Sequence, residues 1–557
     1  MIDKATACER VSCVRKINMK QTRESLGLDK LFSLIDAAGD FGNAMKRNKL
    51  AHPHNKLKDV QEDYHRCAML ISVLEQNPAT AAKLEEIFSH LQELPLEHYR
   101  QTNLLQMHEL FELKSFLWQY RRLCKELEKA GLGTLHPLPN MDELFNLLDP
   151  EANGLPGFRI SPLYSSVLSG LIDRQYAISL QLKATRKHDL QEAAAILSVS
   201  GLKDEFVLSR NKQDAIAKLL GSNLFVLTQE NLANLSFRLA DSPQALALKQ
   251  ELEAISVQIK TEETLILSEL STKVLSFFET LVIAWHSTKE LCWVFMRAVF
   301  AISYHCCIPK LLAWDEDSFP GIKLCAAVNL PLKQHLGQRH HGYQALDIHL
   351  DNAINLITGP NMGGKSTALI TIGQLCYLAG LGIPLPAKSA SLPLYDQIYY
   401  NHVSYDGSET LSSFGKEVVA FVTALNKKGR SLMLLDEFAK GTNPTEGEAL
   451  CVAVIKHLSN TEHSLVAATH FSAPTKLQGI AHFSIKGISE DSFKRLAKLD
   501  AADMKQRLKL LSEAMDYSLV PQKTATPPPR CAYKIASLLG MPEEITGILP
   551  NQEDDEK

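Results

Sequence analysis

Apolar residues recur at helical spacing through the first part of the chain, in runs such as "AAKLEEIFSHLQEL" (81–94) and "LLQMHELFELKSFLWQYRRLCKELEKAG" (104–131). The turn-rich stretch "GLGTLHPLPN" closes this region. A helix of about thirty residues follows, around Tyr164 to Leu197. The runs "EFVLSR" and "NLFVLTQENLANLSFRLA" then read as strand, being rich in β-branched and aromatic residues. From Gln244 to Ile308 there is neither Gly nor Pro, and the pattern is helical throughout. One helix of that length would run about 90 Å, so two helices in sequence are expected. Long helix, small β-rich tip and long helix back describe an antiparallel arm with a capped end.

After Pro309 the pattern changes. "INLITGP", "SLMLLDE" and "SLVAATH" are short apolar runs separated by helical segments. Such runs predict buried parallel strands with helices on both faces. The chain closes with "ATPPPR", a helical motif and the acidic tail "NQEDDEK". The expected segments are an N-terminal helical region (1–140), core and lever helices (141–314) with a tip at about 200–242, an α/β nucleotide-binding domain (315–520), and a terminal link, motif and tail (521–557). The fold class is thus multidomain, α-helical first and α/β after.

Composition narrows the function. With 557 residues the chain holds about three or four domains. Apolar residues make up 45% and charged residues 22%, which excludes a chain disordered throughout. The formal net charge is −4, so nucleic acid would be bound by a local patch or by shape rather than by bulk charge. The first sixty residues lean basic, with Lys46, Arg47, Lys49, Lys56 and Lys58 near their end. Eleven scattered cysteines with no CxxC pair read as reduced thiols of a cytoplasmic protein. The opening residues lack the apolar core of a signal peptide. The most apolar stretch, Leu291 to Trp314, is interrupted by Arg297 and Lys310, so a buried helix is expected and no membrane partner. His335, His340, His341 and His349 fit no zinc spacing.

"LITGPNMGGKSTAL" carries the chemistry. Gly359, four residues, then Gly364-Lys365-Ser366 fit the phosphate-loop pattern between a strand and a helix. Glycines let successive backbone N–H groups turn toward phosphate oxygens, and the helix N-terminus adds its positive end. Lys365 is expected at the β- and γ-phosphates and the Ser366 hydroxyl at Mg²⁺. The nucleotide segment is Gly359, Pro360, Asn361, Met362, Gly363, Gly364, Lys365, Ser366 and Thr367. A second apolar strand ends in Asp436-Glu437. Asp436 is placed to hold Mg²⁺ through water, and Glu437 to orient and polarise the attacking water. A third ends in Thr469-His470, where the imidazole can bond the γ-phosphate or the water. Tyr343 is one aromatic that could stack on adenine.

"ITGPNMGGKST", "LLDE", "GT" and "ATHF", in this order and at these separations, resemble the MutS family of ABC-type ATPases. "TLSSFGKEV" is similar to the family's signature segment, with Ser413 in place of a threonine before Phe414 and Glu417. The resemblance implies that Ser412 reaches in trans to the γ-phosphate held by a second subunit, hence a homodimer with composite ATP sites. "GTNPTEGEAL" resembles the interface loop after the glutamate, closer to the second bacterial paralogue, and "CAYKIASLLGMPEEI" the terminal helical motif. It also implies that the helical arms carry a DNA-touching clamp. Neither the mismatch-reading domain nor the nuclease module of the family is visible in the sequence, so a short form is expected.

Two clients fit. DNA, mismatched or distorted, is what the family implies. In the tip, however, Lys203, Arg210, Lys212, Lys218 and Arg238 are balanced by Asp204, Glu205, Asp214, Glu230 and Asp241. Phosphate binding needs a surplus of positive charge. The alternative is a protein-remodelling ATPase, similar to short MutS-like partners of cobalamin-dependent aminomutases.

Overall fold

The computed structural model describes residues 22–51, 56–197, 201–315, 318–339, 341–360, 363–401, 413–497, 510–523 and a few between 526 and 545. Asn361, Met362, Ser412, most of the terminal motif and the acidic tail lie outside the described residues. The chain forms two compact units, one of residues 91–125 and 137–288, the other of 1–90, 126–136 and 289–557.

The first of these is built on the helices Ser166–Leu197 and Pro243–Ser276. Each runs about 50 Å at 1.5 Å per residue. They lie antiparallel: Ser165 donates to Glu262 (2.6 Å), Gln175 to Ser256 (3.3 Å) and Arg186 to Asp241 (3.1 Å), so numbers rise on one as they fall on the other. The return helix starts where Ser242 accepts from the Ala245 N–H, with Pro243 in the first turn. It stops at Phe277, and the next helix begins at Phe278. The Gly- and Pro-free stretch is thus two helices, as its length implied.

The tip between them holds β1 (Glu205–Ser209), β2 (Phe225–Glu230) and β3 (Asn234–Leu239), an antiparallel sheet in the order β1-β3-β2. Asn231 closes the β2–β3 hairpin, its side chain accepting from the Asn234 N–H at 2.7 Å. A helix, Gln213–Gly221, lies in the segment that the strand pattern left unassigned. Phe225, Leu235, Phe237 and Leu239 bury a small core with Leu219 and with Ala193 of the long helix. Several of the tip's charges are spent within the unit: Arg210 pairs with Glu230, and Arg186 with Asp204 and Asp241.

Among the described residues the other unit contains two sheets. β4 (Lys310–Leu312), β5 (Ile322–Ala327), β6 (Leu346–Leu350) and β8 (Ser389–Pro393) form one, in the order β4-β8-β5-β6. The larger sheet has β7 (Ile354–Thr358), β9 (Gln397–Tyr400), β10 (Ser431–Asp436), β11 (Ser464–Ala468), β12 (Ala481–Gly487) and β13 (Asp516–Gln522), ordered β13-β12-β7-β11-β10-β9. All its pairings are parallel except β12 with β13. β7, β11 and most of β10 are buried on both faces, which explains their unbroken apolar runs. Leu356, Met433, Leu435, Leu465 and Ala467 form one core with Phe421, Phe438 and Ile455 of the loops and helices that cover them.

N-terminal residues complete this unit. Thr22 donates to the Ile398 carbonyl (3.0 Å), and Gln374 donates to the Leu26 carbonyl (2.8 Å). The Leu26 side chain packs against Gly373, where a Cβ would come within 2.9 Å of it. Arg297, which interrupts the apolar stretch, is fully buried. It faces Asp63 at 3.3 Å and donates to the Gly382 carbonyl at 2.7 Å, just beyond the helix Lys365–Gly380. Among the described residues no helix is long and apolar enough to cross a membrane.

Removing one partner of a buried ion pair leaves the other charge without compensation. Arg297→Leu should therefore destabilise this unit by about 3–5 kcal/mol, read by chemical denaturation. An unchanged midpoint would show that the Asp63 contact contributes nothing.

Candidate nucleotide site

Strand register puts the chemistry in one place. Asp436 pairs with Ala468, and Ala468 pairs with Ile357. Three neighbouring parallel strands thus end at one level, and the residues that leave them emerge on the same sheet edge. Those residues are Gly359, Glu437 and Thr469-His470. The Glu437 N–H donates to the Ala468 carbonyl (2.9 Å) and the Thr469 N–H to the Ile357 carbonyl (3.1 Å), which fixes the exits. Ligands of open parallel sheets bind at this end.

The loop after β7 has the backbone that phosphate binding needs. Gly364 takes φ +87°, a left-handed conformation that L side chains rarely adopt. A Cβ on Gly363 would come within 2.8 Å of the Pro360 carbonyl oxygen. Among the described residues no side chain caps the helix Lys365–Gly380 that follows, so its first turn presents main-chain N–H groups. Lys365 is buried and donates to the carbonyls of Gly359 (2.9 Å) and Pro360 (3.1 Å). Burial lowers its pKa, against the pull of the Glu437 and Asp436 carboxylates. Ser366 is exposed and Thr367 half-buried in the same turn.

Asp436 offers one spare oxygen. Its Oδ2 accepts from the Tyr400 hydroxyl at 3.0 Å. Its Oδ1 is buried and takes no hydrogen bond from any described residue. A buried carboxylate oxygen without a partner is costly unless something else fills the role. Close to Lys365 and a phosphate-type loop, that something fits a hydrated Mg²⁺. Burial, then the Asp436 charge, push the Tyr400 phenol well up, so it keeps its proton and remains a donor.

Glu437 sits in a left-handed conformation (φ +50°), as does Ala439 (φ +63°). Non-glycine residues held this way store strain, and such strain gathers at functional sites. One Glu437 oxygen meets His470 Nε2 and the other Lys440 Nζ. Burial would raise the Glu437 pKa, but the bonds from Lys440 and the neighbouring His470 more than offset it. The carboxyl is thus held below its ordinary range and stays ionised. His470 is lowered, first by burial and then by the Lys365 charge, against the pull of Glu437, so its imidazole is neutral near pH 7. Since a carboxylate only accepts, His470 Nε2 donates this bond.

The structure brings together Gly359, Gly363, Gly364, Lys365, Asp436, Glu437 and His470. Ser412 is outside the described residues. The helix that follows it, Ser413–Leu425, delivers Glu417 to the same edge. Sequence reasoning missed Lys440, Tyr400, Asn401 and Tyr517. The spacing of Glu437 and Lys440 (i,i+3) could have flagged the first. Tyr517, on the antiparallel edge strand β13, lies against Gly364, its ring 3.0 Å from where a Cβ would stand. The Tyr343 hydroxyl accepts from the Asn329 N–H (2.7 Å).

With His470 held below its ordinary 6.5 and Glu437 below 4.5, neither group passes its titration midpoint between about pH 8 and about pH 6.5. ATP turnover should be level over that window. An acid limb with its midpoint at or above 6.5 would contradict the assigned ionisation states.

Residues 355–520 match the family model MutS domain V. The chain is similar to the Endonuclease MutS2 of Caldicellulosiruptor bescii, at 31% identity over 229 residues, 40% of this chain and 28% of that protein. To the Endonuclease MutS2 of Clostridium tetani it is 29% identical over 303 residues, 54% of this chain and 35% of that one. The longest of these likenesses is to the Endonuclease MutS2 of Caldanaerobacter subterraneus subsp. tengcongensis, 25% over 507 residues, 84% of this chain and 59% of the relative. The chain therefore spans between 28% and 59% of the length of these curated relatives. The matched domain coincides with the sheet edge that carries Lys365, Asp436 and Glu437, so this part of the chain is similar to MutS domain V, the ATPase domain of the MutS family.

Proposed function

We propose that this protein binds Mg-ATP at the edge formed by β7, β11 and β10, hydrolyses it as a homodimer, and uses the cycle to move its helical arms on DNA. The observation that carries the hydrolytic part is the convergence of Lys365, the spare oxygen of Asp436, and the ionised Glu437 on one level of the sheet. Lys365 would leave the Gly359 and Pro360 carbonyls for the β- and γ-phosphates. Asp436 and Ser366 would hold Mg²⁺, which neutralises charge on the phosphate oxygens. Glu437 would orient and polarise the attacking water, with His470 beside it to report on the γ-phosphate. Ser412 of a second copy would complete the site. The long antiparallel helices fit a lever whose two arrangements differ in affinity for nucleotide states.

DNA as the client is supported by the match to MutS domain V and by the endonuclease names of the relatives. One observation favours a second reading. The tip's five cations are matched by five carboxylates, Arg210 pairing with Glu230, and at the tip's base Arg186 and Lys249 pair with Asp241, so the tip has no surplus of positive charge for phosphates. A protein client, such as a cobalamin-dependent aminomutase, would suit a tip of balanced charge.

Steady-state ATPase assays with duplex, mismatched and branched DNA separate the two. A several-fold stimulation lost at high salt is the expected result; a flat response with intact basal turnover would move the client to a protein. Lys365→Ala should bind nucleotide at least tenfold more weakly. Ser412→Ala should bind but turn over poorly, and mixing the two variants should restore one composite site. Failure of the mixture to exceed either variant alone would contradict hydrolysis in trans.

A further inference from the structure

β9 ends at Tyr400 and Asn401 follows it, and neither residue belongs to the motifs that mark the site. Asn401 is buried, and its amide is fully engaged. Its Oδ1 accepts from the Asp436 N–H at 2.6 Å. Its Nδ2 donates to the Asp436 carbonyl at 3.2 Å and to Glu417 Oε1 at 2.7 Å. A side-chain amide here takes over the peptide pairing that the β9–β10 ladder would otherwise supply. The second Glu417 oxygen accepts from the Ala439 N–H at 3.3 Å.

Glu417 therefore bridges two points on either side of Glu437. One is Asp436, through Asn401; the other is Ala439, held in a left-handed conformation with Glu437 itself. Burial raises the Glu417 pKa, and the bonds from Asn401 and Ala439 only partly offset it. A half-buried carboxyl with both oxygens committed to the loop that carries a catalytic group is poorly explained as a surface charge. It stands on the helix Ser413–Leu425, which shares no strand pairing with β10.

We infer that Asn401 and Glu417 form a positioning strut that sets the backbone of Asp436–Ala439, so that Glu437 reaches the attacking water only while the Ser413–Leu425 helix is correctly seated. This rests on the reading of Glu437 as the residue that polarises water. Neither strut residue touches the reacting atoms; both act through the backbone of the loop. The strut's donor and acceptor pattern has a polarity that can be reversed. Glu417→Gln puts an NH₂ where either the Asn401 NH₂ or the Ala439 N–H needs an acceptor. Asn401→Asp sets two carboxylates face to face. The double variant, Asn401→Asp with Glu417→Gln, restores a donor between them. The new amide at position 417 can give its NH₂ to the new carboxylate at position 401 and accept from the Ala439 N–H. That carboxylate still accepts from the Asp436 N–H. The 3.2 Å bond to the Asp436 carbonyl is replaced by a contact between two acceptor oxygens, so recovery is incomplete.

The experiment measures kcat and KM for ATP in the full chain, with affinity for a non-hydrolysable ATP analogue and thermal midpoint as controls. Each single variant should lose about tenfold or more in kcat with KM changed little, and the double variant should recover to within a few-fold of the unsubstituted protein. A double variant no faster than the slower single, with all three folded and binding the analogue, would overturn the strut. Should Asn401→Asp fail to fold, Glu417→Ala carries the same expectation, wild-type analogue affinity with lowered kcat, and wild-type kcat would overturn it. Glu437→Ala is run in parallel. If it turns over at the wild-type rate, the Glu437 reading falls; if it is inactive while both strut variants turn over normally, the strut alone falls.

Discussion

Parallel pairing of β7, β11 and β10 in a common register is the constraint on which the site depends. Each strand is buried and brings a different group to its C-terminal end: the phosphate loop from β7, Asp436-Glu437 from β10, His470 from β11. Inserting β11 between the other two places an imidazole where it can meet the Glu437 carboxylate. A one-residue slip in any pairing would turn alternate side chains to the other face and separate these groups. The apolar core beneath, with Leu356, Met433 and Leu465 fully buried, makes such a slip costly.

Electrostatics at that edge follow from the register. Lys365 is buried yet faces two carboxylates, and it rests on the loop's own carbonyls. Glu437 is kept ionised by Lys440 and His470, while Asp436 keeps one oxygen free of protein partners. A buried lysine facing two carboxylates, one of which keeps an oxygen without a protein partner, is what a phosphate and a metal ion would complete. The strained conformations of Glu437 and Ala439 belong to the same picture, since surrounding bonds must hold them in place.

Much of this was legible in the sequence because it is contiguous. The phosphate loop occupies nine successive residues, and the acidic pair ends an apolar strand. Buried parallel strands betray themselves by unbroken runs, and the arm by length without Gly or Pro. What stayed hidden rests on contacts between distant residues. Nothing local to Asn401 says that its amide will bracket Asp436, thirty-five positions later. Nothing in "QTRESLG" says that Leu26 will pack on Gly373 of the helix Lys365–Gly380. Arg297 read as an interruption of an apolar helix, when its guanidinium finds Asp63 and the Gly382 carbonyl inside the core. The short helix Gln213–Gly221 escaped because strand signals flank it on both sides.

The most direct test of the site is paramagnetic. Mn²⁺ substitutes for Mg²⁺ at oxygen ligands, and its bound fraction can be read by electron paramagnetic resonance with a non-hydrolysable ATP analogue. The account predicts that the protein takes up Mn²⁺ tightly only when the analogue is present, one ion per nucleotide, and that Asp436→Ala abolishes the uptake while analogue binding persists. Equal Mn²⁺ binding by Asp436→Ala, or tight binding without nucleotide, would contradict the assignment of this sheet edge as an Mg-ATP site.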